Sequence, residues 1–159
     1  MKQFDSPRWI KILVLVLQVF CVVILAGTFL LMALKWGSLP DTVPSHYGLD
    51  GQADGWDGKG SLWICPILSL VLFGVLTLLE RFPKFWNTGV TLTPQNRDTI
   101  YSLLWLMLVV VKTAAVLTIS YMTICGALQQ PLGAWFLPGT MVLMFVPMIV
   151  ILVAVYRSK

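Results

Sequence analysis

Residues 100–125 read IYSLLWLMLVVVKTAAVLTISYMTIC. This stretch decides the fold. It exceeds the roughly 20 apolar residues that a bilayer crossing requires, and its only charge, Lys112, falls near the middle. It lacks the period-two alternation of a barrel strand. It therefore reads as a helix, which satisfies its own backbone hydrogen bonds in lipid. Three further runs have the same character, at about 9–34, 62–79 and 135–156. The 159 residues are 58% hydrophobic and 11% charged, whereas soluble domains carry about a quarter charged residues. The expected architecture is an all-α integral membrane protein with a single domain over 1–159. It is a four-transmembrane-helix bundle with an ordered outer loop over 35–61 and a cytoplasmic loop over 80–99. The first run is longer than the 7–15-residue core of a signal peptide and lacks a small-residue cleavage site, so it is expected to be retained.

Charge sets the expected orientation. Lys2, Arg8, Lys11, Arg81, Lys84, Arg97, Arg157 and Lys159 flank the helices on one side, and Lys35 and Lys59 lie on the other. By the positive-inside rule both termini are cytoplasmic, and the chain is a multi-pass plasma-membrane protein. The net charge of +4 then reports topology and lipid headgroups as partners, with no nucleic acid among them. Ser6–Pro7 and Thr93–Pro94 read as a cap followed by a first helical residue. Cys21, Cys65 and Cys125 lie in apolar runs and read as small buried hydrophobes; a Cys65–Cys125 bridge is the alternative.

Between the first two helices lies LPDTVPSHYGLDGQADGWDGKGS, residues 39–61, with four aspartates, the sole histidine and a formal charge of −3. Pro40 and Pro44 stiffen its entry, and its glycines allow sharp turns. The run from Asp50 to Gly55 opens like a calcium loop, with oxygens at Asp50, Gln52 and Asp54. The twelfth loop position is Ser61, where a bidentate glutamate is expected. A glycine-rich turn with aspartate side-chain turns is therefore the preferred reading. A divalent cation at this loop stays a candidate cofactor, with His46, Asp50, Asp54 and Asp57 as weak metal candidates; one histidine is a poor zinc signal. Ser45 beside His46 makes no triad, because geometry and not adjacency defines one.

Lys112 is the second candidate. At about 1.5 Å per residue it lies roughly 16 Å along the helix from Tyr101, near the bilayer centre, where an ionisable group is costly and is by default a functional hypothesis. No Asp or Glu falls within the four apolar runs, so no carboxylate partner is expected at its depth. Gln18, Ser69 and the threonines of the third helix are the expected polar neighbours. A wet cavity, an anionic ligand, snorkelling and a neutral buried lysine are all readings of this residue.

The loop also carries a family likeness. LPDTVPSHYGLDGQADGWDGK resembles a Leu-Pro-x-x-(Ile/Val)-Pro-x-His-(Phe/Tyr) … Gly-x-x-Asp-x-x-x-x-Lys signature. That signature belongs to a bacterial membrane domain of unknown function at the N-terminus of Sdp-type (SdpI-like) immunity proteins. The matching residues are Leu39, Pro40, Val43, Pro44, His46, Tyr47, Gly51, Asp54 and Lys59. LTPQNRDTIY, residues 92–101, is similar to the family's Thr-x-(Glu/Gln)-Asn segment, and Lys112 sits where many members carry a basic residue. The likeness runs over about residues 30–115. Full immunity proteins carry further helices, and His-Tyr-Gly replaces a commoner His-Phe-Asn-like run.

The resemblance implies a Gram-positive-type plasma-membrane protein with toxin immunity as its setting. The expected function is a binding and signalling module. Its 39–61 loop recognises an extracellular peptide, toxin or cation, with a cytoplasmic regulator or a homo-oligomer as further partners. His46, Asp54, Lys59 and Lys112 are the expected ligand-binding residues. Two alternatives are a membrane-surface enzyme, metal-assisted, using His46 and Asp54, and a small transporter or accessory subunit with Lys112 in a polar path.

Overall fold

The computed structural model describes residues 4–158, so the flanking charges Lys2 and Lys159 lie outside the described residues. Four helices are long and apolar enough to cross a membrane, and the chain is a multi-pass membrane protein. They are α1 (Arg8–Lys35), α2 (Ile64–Leu79), α3 (Arg97–Leu128) and α4 (Phe136–Arg157). A 3-10 segment, Lys59–Trp63, precedes α2 and extends its span to Lys59–Leu79.

Helix α3 is the central element, and α1, α2 and α4 each pack against it. Its buried positions, from Ile100 to Ala127, occupy much of its circumference. The other helices bury one stripe each. On α1 the stripe is Ile10, Val14, Cys21, Leu25, Thr28 and Met32, the three-and-four spacing of a helix with one packed face. Its other faces expose Leu15, Val19, Val23 and Leu30, as suits a helix bathed in acyl chains. On α4 only Ile151 and Val155 are buried.

Residues 42–58 form an antiparallel hairpin, β1 (Thr42–Tyr47) and β2 (Ala53–Gly58), an element the periodicity of the loop did not foretell. Thr42 pairs with Gly58 and Tyr47 with Ala53, with irregular register on either side of His46. Pro44 lacks the N–H a regular ladder needs, which accords with a bulge next to it. A lone two-stranded hairpin is marginal in water, and this one is held from below. Val43 is fully buried in a cluster with Met32, Leu39, Leu62 and Ala127. At Gly126 of α3 an added Cβ would lie 2.7 Å from Leu62 Cδ2, so the absence of a side chain admits the 3-10 segment that follows the hairpin.

The hairpin tip docks on the α3–α4 connection. The Leu132 N–H donates to the Gly51 carbonyl at 2.8 Å. Gly51 has φ +76°, and a Cβ there would stand 2.4 Å from the Gly133 carbonyl oxygen. Both the left-handed backbone and the close approach demand glycine.

One local expectation is corrected. Ser6 does not cap α1; Pro7 occupies the cap position, and no side chain bonds there. The buried Ser6 hydroxyl instead accepts a hydrogen bond from Ser102 on α3. Ahead of α3, Thr93 and Asn96 bond each other reciprocally, N–H to side-chain oxygen in both directions. The three cysteines are free.

Candidate functional site

Two polar constellations stand out, one exposed on the hairpin and one buried between helices. On the hairpin, His46 Nδ1 lies 2.5 Å from Asp54 Oδ1, with side-chain exposures of 74% and 53%. The pair is an ion pair when His46 is protonated. The carboxylates of Asp50 and Asp54 both flank Gly48, where a Cβ would meet them at 3.1 and 3.2 Å. Asp50 Oδ1 also accepts the Gln52 N–H at 3.0 Å, a side-chain turn of the kind the aspartates suggested. Asp57 pairs with Val43 toward the base of the hairpin, apart from this tip. Lys59 is at the base too: its Nζ lies 3.9 Å from Asp41 Oδ1 and 5.6 Å from the centre of the Trp36 ring. The fold thus pairs His46 with Asp54, sets Asp50 beside Asp54 at Gly48, and leaves Asp57 and Lys59 elsewhere. Among the described residues no three His, Cys, Asp or Glu side chains are grouped to hold a metal ion.

Behind the hairpin a cavity of about 170 Å3 is lined by Ser45, Tyr47, Asp57, Ser61, Cys65 and Thr123, among others. Burial, with the charges of Cys125 and Cys65 adding, pushes the Tyr47 phenol up to about 12. It therefore stays protonated at physiological pH, and its hydroxyl reaches the Gln130 carbonyl at 3.5 Å.

The buried constellation centres on Lys112, which is fully buried. The expectation that it lacks a carboxylate partner is overturned: its Nζ lies 2.5 Å from Glu80 Oε1. It donates also to Gln18 Oε1 at 2.8 Å and Thr77 Oγ1 at 2.9 Å. Glu80 Oε2 accepts from Gln18 Nε2 at 2.7 Å and Trp105 Nε1 at 3.0 Å. The Phe73 ring covers the ammonium, 4.8 Å from its centroid. An intramembrane charge is tolerated when it is paired in this way.

The helix geometry explains the reach. In an α-helix each Cβ tilts toward the N-terminus, so the long Lys112 side chain leans down α3 toward the end of α2, where Glu80 is the C-cap. Gln18 belongs to the inward stripe of α1. On α2 the inward positions are Pro66, Ser69, Phe73, Thr77 and Glu80. Their three-and-four spacing continues one residue past the apolar run, and that spacing is the signal that could have found Glu80. Of the neighbours expected for Lys112, Gln18 is one; Ser69 is buried on the same helix face but makes no hydrogen bond among the described residues.

This geometry can be set beside known proteins. Residues 23–70 match a domain of unknown function, DUF1648. The DUF1648 match takes in the C-terminal half of α1, the whole hairpin and the first part of α2, and so contains His46, Asp54 and Lys59 but not Lys112 or Glu80. An uncharacterized protein of Archaeoglobus fulgidus is 31% identical over 62 residues, which is 34% of this chain and 34% of that protein. The chain thus spans about a third of the length of the relative it matches. No solved structure matches.

Proposed function

We propose that this chain is a plasma-membrane binding and signalling module, with both termini cytoplasmic, whose hairpin faces outward and takes a cationic peptide of the kind a toxin-immunity protein meets. The observation that carries this reading is the exposed His46–Asp54 pair on an acidic hairpin that is itself docked onto the bundle. Such a surface is complementary to a basic ligand. Its docking also supplies a route for occupancy to be felt. Displacing the tip would pull on the bond between Gly51 and Leu132, and so on the α3–α4 connection. Helix α3 carries that strain to Lys112 and on to Glu80, where the 80–99 loop begins. A cytoplasmic regulator or a second copy would read the change there. The excess of Lys and Arg on the 80–99 side supports the orientation.

The test uses proteoliposomes of neutral lipid and a fluorescent decalysine peptide. Binding is expected to be salt-sensitive and to be lost when Asp41, Asp50, Asp54 and Asp57 are all changed to asparagine. Equal binding by the parent and the fourfold variant, or by empty vesicles, would refute the reading.

A further inference from the structure

The seam between α2 and α3 holds two groups that the binding reading does not use. Ser69 on α2 and Ser120 on α3 are 0% and 2% exposed, and neither hydroxyl has a hydrogen-bond partner among the described residues. A buried hydroxyl left unbonded is costly, so each such group calls for an explanation.

Their level in the bundle supplies one. Helices α2 and α3 run antiparallel, and two contacts fix their register. Near one end Cys65 lines the hairpin cavity together with Met122 and Thr123. Near the other, Thr77 and Glu80 bond Lys112. Interpolating between these contacts, with allowance for the downward lean of the Lys112 side chain, brings Ser69 level with Ser120 to within about two residues, or about 3 Å of rise. The cavity of about 170 Å3 thus opens above them with hydroxyls from Ser61 and Thr123. It has room for about five waters at roughly 30 Å3 each. Below them the seam turns apolar at Phe73 and fully buried Val116, which pack in one cluster. The Phe73 ring in turn covers the Lys112 ammonium. On the far side of the ion pair the rings of Phe4, Trp86 and Trp105 close against one another.

We propose that the α2–α3 seam is a hydrated half-channel. It admits water from the hairpin side down to Ser69 and Ser120, and the Phe73–Val116 contact separates it from the Lys112–Glu80 pair. Its ligand is water, and the ion pair is the charged group the path approaches. Polar groups at membrane depth mark such paths in other membrane proteins. The proposal goes beyond peptide binding and stands on different residues.

Cysteine accessibility tests it. In a variant with Cys21, Cys65 and Cys125 changed to alanine, Ser69→Cys, Ser120→Cys, Val116→Cys and the lipid-facing Leu70→Cys are each reconstituted. Each is treated with 2-aminoethyl methanethiosulfonate, and modification is followed by mass spectrometry. A thiol must ionise to react, which needs water. Ser69→Cys and Ser120→Cys are expected to react about tenfold faster than Leu70→Cys and Val116→Cys. Adding Phe73→Ala is expected to raise the Val116→Cys rate to theirs. Equal rates at Ser69, Ser120 and Leu70 would overturn the half-channel, and a fast Val116→Cys with Phe73 intact would overturn its lower boundary. A second measurement avoids cysteine altogether. If the seam is dry, Ser69→Ala with Ser120→Ala removes two unbonded hydroxyls and raises the unfolding midpoint. The half-channel requires a midpoint that is unchanged or lower, and a raised one refutes it.

Discussion

Replacing Lys112 by methionine is expected to cost about 3–5 kcal/mol of folding stability, the range for removing one member of a buried ion pair. The structure shows why the loss is large. Without the ammonium, Glu80 keeps Gln18 Nε2 and Trp105 Nε1 on Oε2, but Oε1 loses its bond to Lys112. At 2.5 Å and an effective dielectric constant of about 20, the attraction is about 6–7 kcal/mol. Burial of each ion costs several kcal/mol, so the two nearly cancel. Glu80→Met is expected to cost about 3–5 kcal/mol for the converse reason. The double variant Lys112→Met with Glu80→Met leaves no uncompensated charge. It gives up hydrogen bonds to Gln18, Thr77 and Trp105, for a net loss of about 1–3 kcal/mol. The coupling energy in the cycle is therefore at least about 3 kcal/mol. Reversible unfolding in mixed micelles, followed by tryptophan fluorescence, measures all four corners. Additive losses, with coupling below about 1 kcal/mol, would refute the pair as the charged centre of the bundle.

Three other outcomes are expected. Gly51→Ala forces a Cβ into the Gly133 carbonyl at an unfavourable φ, so it should undock the hairpin tip and cost about 1–3 kcal/mol, seen as faster amide exchange over 42–58. His46→Ala should change stability by less than about 1 kcal/mol because its pair is exposed, while leaving decalysine binding unchanged or stronger because all four carboxylates remain; a large loss of stability would make the pair structural. Tyr47 has a raised phenol pKa, from 10.0 to about 12. Its contribution to stability is thus whole below pH 10 and is lost as pH rises toward 12. An unfolding midpoint that falls over that window for the parent, and falls less for Tyr47→Phe, is the check.

The sequence made the four crossings legible because a bilayer imposes a length and a polarity that no tertiary contact need supply. The hairpin was not legible. Its strands are short and interrupted by Pro44 and several glycines, and Val43 points inward only because Met32, Leu62 and Ala127 are there to receive it. Lys112 and Gln18 declared themselves as polar residues in apolar runs. Glu80 did not, because it falls just past the end of the second run, in a stretch with the composition of a loop. Its phase with Ser69, Phe73 and Thr77 was visible, but the reach of a lysine leaning down a neighbouring helix was not. Ser6 failed as a cap for a like reason: its partner, Ser102, is distant in sequence and close only after folding.

The bond between the Gly51 carbonyl and the Leu132 N–H has a consequence for biogenesis. The hairpin emerges between the first two helices, but the strand of backbone that secures it is synthesised only after α3. At ordinary rates of chain elongation that interval is on the order of ten seconds. During it the α1–α2 pair carries an unsecured hairpin, and α2 presents Ser69, Thr77 and Glu80 with no Lys112 to meet them. Release of Glu80 from water and closure of the hairpin therefore come late and in close succession, when α3 and the connection after it arrive. A chain stalled before α3 would display both defects at once, an unpaired carboxylate at membrane depth and a loose hairpin, and those are features by which a quality-control protease recognises an unfinished membrane protein.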